Sequence, residues 1–94
     1  MPFQIVLSAD AINDIDEAVE YYNKVSAGLG FEFTDTLDVF FNNISRLPTA
    51  SAICYDNVRI KPIDTFPFTI HFIIERDTTV IILHVFNTNR QPFW

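Results

Sequence analysis

Residues 67–94 read PFTIHFIIERDTTVIILHVFNTNRQPFW, and this stretch decides the fold. Two runs with the apolar alternation of β-strands flank a polar turn at Arg76 and Asp77, which predicts a hairpin. A hairpin cannot bury its apolar face alone, so the preceding part of the chain must cover it. The tail after the second run places Arg90 near the end of the sheet, where binding and catalytic sites are common.

The turn predicts which strand residues face the core. A two-residue turn at Arg76 and Asp77 would set Glu75 opposite Thr78. One face of the hairpin is then purely apolar and is expected to pack against helices: Phe68, Ile70, Phe72, Ile74, Ile81, Leu83 and Val85. The opposite face carries His71 and His84. A three-residue loop would exchange the two faces of the second strand.

Two amphipathic helices are predicted between a short strand at residues 3–7 and a break at Pro48. Ser8 is a suitable N-cap for the first helix. Gly28 and Gly30 lie at the connection between the two helices. The apolar residues expected on the buried stripes are Ile12, Ile15, Val19 and Tyr22 in the first helix and Phe33, Leu37, Phe40, Phe41, Ile44 and Leu47 in the second.

A further strand is predicted from Tyr55 to Ile63, with Val58 and Ile60 facing the core. Its alternate residues Arg59 and Lys61 would then point to the side of the sheet that carries His71. The element order is β-α-α-β-β-β, which predicts an α+β fold with a helical hairpin packed on a small antiparallel sheet. Residues 1–94 are expected to form a single domain.

Composition and charge restrict the possible functions. Hydrophobic residues make up 49% of the chain, as in a globular domain, and no apolar run predicts a membrane span or a signal peptide. Residues 1–45 hold eight acidic residues and one basic residue, whereas residues 46–94 hold four acidic and five basic residues. Any site for nucleic acid is therefore expected in the C-terminal half. The single cysteine, Cys54, cannot form an internal disulfide, which favours a cytoplasmic location.

The expected open face of the sheet collects residues suited to phosphodiester chemistry. Arg59, Lys61 and Arg90 could stabilise a phosphoryl transition state, and His71 or His84 could transfer a proton. Basic strand residues are more often solvated surface groups, and sheet histidines between apolar residues are more often half-buried. The sequence holds no motif for a metal or a cofactor, and none is expected.

The ordered series of segments resembles the RelE/ParE superfamily of toxins from type II toxin–antitoxin modules, some of them plasmid stabilisation proteins. The resemblance covers nearly the whole chain and is carried by AINDIDEAVEYY at residues 11–22, Leu29-Gly30, Phe33, Leu37, Pro48, YDNVR at residues 55–59, PFTI at residues 67–70, Val85-Phe86 and RQPFW at residues 90–94. It implies a small α/β toxin that a cognate antitoxin wraps and neutralises, and that can form a homodimer when the antitoxin is absent.

The resemblance implies two activities. RelE-like members are endoribonucleases that cleave messenger RNA on the ribosome, and here Arg59, Lys61, His84 and Arg90 would be the catalytic residues. ParE-like members inhibit growth by poisoning DNA gyrase and are not known as nucleases. In that case Arg59, Arg90, Phe93 and Trp94 are the residues expected to bind the target or the antitoxin.

The residues after the last strand favour binding over catalysis. The family often has a histidine followed by an arginine pair there, whereas this chain has Asn87 and then Asn89-Arg90. An amide cannot serve as a general acid or base. The preferred hypothesis is therefore a ParE-like toxin that is not an enzyme. The alternatives are a ribosome-dependent endoribonuclease and a degenerate homologue that binds an antitoxin without toxicity.

Overall fold

The chain forms two helices and five strands in the computed structural model, which describes residues 2–92. The elements follow in the order β1 (Gln4–Leu7), α1 (Ala9–Val25), α2 (Leu29–Arg46), a short 3₁₀ turn (Pro48–Ala50), β2 (Ile53–Tyr55), β3 (Val58–Pro62), β4 (Phe68–Glu75) and β5 (Thr79–Asn87). The predicted α+β class and the helical hairpin between strands are confirmed.

The five strands form one sheet in the order β1-β5-β4-β3-β2. It differs from the predicted sheet in two respects. The single strand expected at residues 55–63 is a hairpin of β2 and β3, which turns at Asp56 in a left-handed conformation (φ 47°). The sheet is also mixed, because β1 runs parallel to β5, whereas the other pairs are antiparallel. The crossover through both helices makes that parallel pairing possible.

Local signals define the ends of the helices as predicted. The Ser8 hydroxyl accepts a hydrogen bond from the Ala11 backbone N–H at 3.0 Å and so caps α1. Gly28 connects the helices with a φ of 87°, a conformation that costs little only for glycine. The buried stripe of α1 is centred on Ala11 and Ala18 and not on Ile12, which is 46% exposed.

The β4–β5 hairpin has a three-residue loop, since Glu75 lies opposite Thr79. Arg76 and Asp77 both adopt positive φ angles in this loop. The faces of β5 are therefore exchanged near the loop, and Val80 and Ile82 are buried in place of the predicted Ile81 and Leu83. A bulge between His71 and Phe72 of β4 and the facing residues of β5 then shifts the register by one residue. This shift returns Val85 to the core, as predicted, and sets His84 opposite His71.

The core lies between the helices and one face of the sheet. An aromatic cluster of Tyr22, Phe33, Phe66 and Phe68 fills one end, with ring centroids 5.0 to 6.3 Å apart. Such aromatic contacts add to the free energy gained from burying apolar area. Leu47, predicted on the buried stripe of α2, is 60% exposed because the helix ends at Arg46. Within residues 2–92, no helix is long and apolar enough to cross a membrane.

Candidate functional site

A groove of about 500 Å³ lies between α1 and the end of β5. Four of its lining residues come from α1 at positions i, i+3, i+4 and i+7, the spacing of one helical face. The remaining lining residues come from β4, β5 and the segment after it. The full lining is Asp14, Glu17, Ala18, Tyr21, Phe68, His84, Val85, Phe86, Asn87 and Arg90.

The groove exists because β5 is longer than its neighbour β1. The register of β1 ends with Leu7 opposite Ile82, whereas β5 continues to Asn87. Two side chains bind the backbone of β5 beyond that point. The Ser8 hydroxyl donates to the Leu83 carbonyl at 2.8 Å, and the Val85 N–H donates to the Asp14 carboxylate at 3.1 Å. This edge of the sheet is therefore covered by side chains instead of a strand.

Acidic residues of α1 face the basic residues of the groove. Asp14 Oδ2 lies 3.5 Å from His84 Nδ1, and Glu17 Oε2 lies 3.7 Å from Arg90 Nη2. The carboxylates of Asp14 and Glu17 thus stand where a phosphate would have to approach His84 and Arg90. Among residues 2–92, no three side chains of the metal-ligating types cluster closely enough to hold a metal ion.

His71 lies opposite His84 and is fully buried, so its predicted place on an open face is wrong. Its Nδ1 lies 3.0 Å from the Tyr55 hydroxyl and its Nε2 lies 2.9 Å from the Thr69 hydroxyl. Burial, and secondarily the neighbouring His84, lowers the pKa of His71 to about 4. His71 is therefore neutral near neutral pH, and its hydrogen bonds indicate a structural role.

Arg59 and Lys61 lie on the helix-covered side of the sheet, so the prediction that they share a face with His71 is wrong. Arg59 is opposite Phe72 and Lys61 is opposite Ile70, and directly opposed residues of an antiparallel pair share a face. The Lys61 ammonium lies 5.8 Å from the centre of the Phe40 ring on α2. The Arg59 guanidinium donates to the Ser51 carbonyl at 2.7 Å.

The groove therefore brings together only part of the predicted site. His84 and Arg90 line it with Asn87, whereas Arg59 and Lys61 do not. Phe93 and Trp94 lie outside the described residues. The roles assigned to all of these residues in binding or catalysis stay predictions.

The sequence analysis overlooked the α1 wall of the groove. Carboxylates at helical spacing usually form a solvated surface, and no role was predicted for Asp14 and Glu17. The available signal was Tyr21, an aromatic residue on the same helical face as these two acids. In the structure Tyr21 is 63% exposed, so it lies at the surface and does not belong to the core.

The fold is similar to that of a chain from the chromosomal ParDE TA system of P. aeruginosa, with a TM-score of 0.78. The match covers 90% of this chain and 95% of that chain, at 13% sequence identity. At this identity the similarity is one of fold. It confirms the fold that the sequence resemblance implied. Comparisons with protein-family models and with curated protein sequences give no match.

Proposed function

We propose that the chain is the toxin of a type II toxin–antitoxin module, that it acts in the cytoplasm, and that a cognate antitoxin neutralises it. It acts by binding and poisoning a target such as DNA gyrase, as the ParE-like hypothesis expects, and not by catalysis. When the antitoxin is absent, the isolated chain can form a homodimer through the apolar surface that the antitoxin would otherwise cover. The fold similarity to a ParDE system chain supports the toxin–antitoxin part of this proposal.

One observation supports binding over catalysis: the candidate nuclease residues do not share one site. Arg59 and Lys61 face the helices opposite Phe72 and Ile70, whereas His84 and Arg90 line the groove beside α1. A phosphodiester in the groove would meet His84 and Arg90 without the two other cations. It would also meet the carboxylates of Asp14 and Glu17, which disfavour an anionic substrate by charge repulsion.

Induced expression in a bacterial host tests the proposal. We expect growth arrest, and we expect a small open reading frame beside this gene whose co-expression relieves the arrest. Purified protein is expected to block supercoiling by DNA gyrase or to trap gyrase–DNA cleavage complexes. No effect on gyrase at an excess of protein would contradict the gyrase target. Harmless induction together with tight binding of the neighbouring gene product would favour a degenerate, non-toxic homologue.

A ribosome-dependent endoribonuclease is the second candidate function, because His84 and Arg90 lie in the same groove. A histidine can transfer a proton near neutral pH, and an arginine can stabilise a phosphoryl transition state. This hypothesis predicts message cleavage on ribosomes that His84→Ala and Arg90→Ala abolish. Intact messages in the presence of wild-type protein would rule it out.

A further inference from the structure

The groove carries two carboxylates and one guanidinium, although the C-terminal half of the chain is slightly basic. We infer that the groove binds a protein segment that is basic and apolar, and that a cation of this segment takes the place of Arg90 at Glu17. The inference rests on the proposed function, in which a partner protein binds the chain. It specifies the chemistry of that partner.

The floor of the groove provides an apolar contact for such a segment. Ala18, Phe68 and Val85 are 6%, 6% and 2% exposed, respectively, and form an apolar base between α1 and the sheet. Tyr21 stands at the rim with most of its ring exposed. Burying an apolar side chain against this base supplies the non-directional part of binding, and aromatic rims are common in protein interfaces.

The ion pair between Arg90 and Glu17 is easily exchanged. Both side chains are about two-thirds exposed, and their charged atoms are 3.7 Å apart. An exposed pair of this kind contributes only about 0–1 kcal/mol to stability. A lysine or arginine from a partner can therefore pair with Glu17 at little cost. Asp14 keeps its hydrogen bond to the Val85 N–H and adds a second fixed negative charge to the same wall.

The charge of the whole chain favours the same partner. The formal net charge is −6, and the only basic residue before Arg46 is Lys24, which pairs with Glu20 on α1. The α1 wall of the groove is therefore part of a negative surface. Such a field attracts a basic segment and repels nucleic acid and acidic peptides. A basic protein segment is thus the occupant that both the groove and its surroundings favour.

Selection from a library of random displayed peptides tests this inference on the purified full chain. Enriched peptides are expected to carry a net positive charge with at least one large apolar residue. The groove variant Asp14→Asn/Glu17→Gln removes two charges while keeping an amide oxygen for the Val85 N–H. We expect this variant to weaken binding of the selected peptides about tenfold or more.

The matched control is Asp35→Asn/Asp38→Asn, which removes the same charge from exposed positions of α2 outside the groove. Its affinity for the selected peptides is expected to change less than about twofold, as for other charges distant from an interface. The inference would be overturned if the selected peptides were neutral or acidic, or if no peptide were enriched. Equal losses of peptide affinity in both variants would also overturn it. Equal losses would mean that net charge, and not the groove, attracts the peptide.

The result is independent of the growth assay. If the neighbouring gene product relieves growth arrest but binds the groove variant as tightly as wild type, the proposed function stands and this inference falls. If expression is harmless and the selected peptides are basic and depend on the groove, the inference stands and the toxin proposal falls.

Discussion

The carboxylate of Asp14 accepts a hydrogen bond from the backbone N–H of Val85 at 3.1 Å, across 71 residues of sequence. This bond joins α1 to the edge of β5 beyond the end of β1. It places a negative charge in the groove and satisfies a backbone donor of a residue that is only 2% exposed. Asp14 therefore contributes to the fold as well as to the charge of the groove.

Replacing Asp14 by alanine is expected to destabilise the protein by about 1–3 kcal/mol, because the Val85 N–H loses its partner. Asp14→Asn keeps an oxygen acceptor and is expected to cost less. Urea denaturation measures both changes. Asp16→Ala, at an exposed position of the same helix, is the control and is expected to have an effect near zero. Equal stability of Asp14→Ala and Asp16→Ala would show that the bond is unimportant.

Ser8→Ala is expected to lower the free energy of unfolding by about 1–2 kcal/mol. The Ser8 hydroxyl both caps α1 at the Ala11 N–H and donates to the Leu83 carbonyl, so two hydrogen bonds are lost. Thr36→Ala removes an exposed hydroxyl that bonds only within α2, at the Glu32 carbonyl, and serves as the control. Thermal and chemical denaturation of the two variants should differ clearly, and a Ser8 variant as stable as the Thr36 variant would contradict the prediction.

Gly28→Ala is expected to destabilise the chain by about 1–2 kcal/mol through backbone strain alone. Gly28 has a φ of 87°, and a Cβ added there would meet no atom within 4 Å. Any loss therefore comes from the conformation and not from a clash. Gly28→Asn is the informative comparison, since asparagine tolerates left-handed conformations better than alanine. Stability should decrease from glycine to asparagine to alanine at this position. An alanine variant as stable as the wild type would contradict the left-handed conformation of Gly28.

Stability is expected to fall as the pH falls from about 6.5 towards 4, because of His71. Burial lowers the pKa of His71 to about 4 in the folded chain, so the unfolded chain takes up a proton first. The full effect corresponds to roughly 3 kcal/mol, reached at and below pH 4. Above pH 6.5 both states are neutral at this residue and the effect is absent.

Denaturation curves of His71→Gln across this pH range test the assignment, since the variant should lose the corresponding part of the pH slope. Tyr55→Phe is the control. It removes one hydrogen-bond partner of His71 but leaves the ring buried, so it should lower stability at every pH and keep the slope. A slope unchanged in His71→Gln would assign the pH dependence to other groups.

Features encoded locally in the sequence were predictable. Ser8 as a cap, Gly28 at the helix connection and Pro48 after the second helix each act within a few residues, so the pattern alone located both helices. The apolar face of β4 was also predictable, because the strict alternation from Phe68 to Phe72 leaves one choice of core face.

Features set by register and pairing were not predictable. One additional loop residue exchanged Ile81 for Val80 in the core, and the bulge then reversed that exchange before His84. Arg59 and Lys61 were placed on the wrong face because the β2–β3 turn at Asp56 was not recognised. The groove itself depends on the lengths of β1 and β5 and on a contact between Asp14 and Val85. No local sequence pattern indicates the strand lengths or this contact.

The parallel pairing of β1 with β5 has a consequence for synthesis in the cell. Within residues 2–92, β1 has β5 as its only neighbour in the sheet. A ribosome therefore has to release the chain as far as β5 before β1 can be paired. The groove needs both α1 and the end of β5, so a nascent or truncated chain that lacks β5 cannot present it.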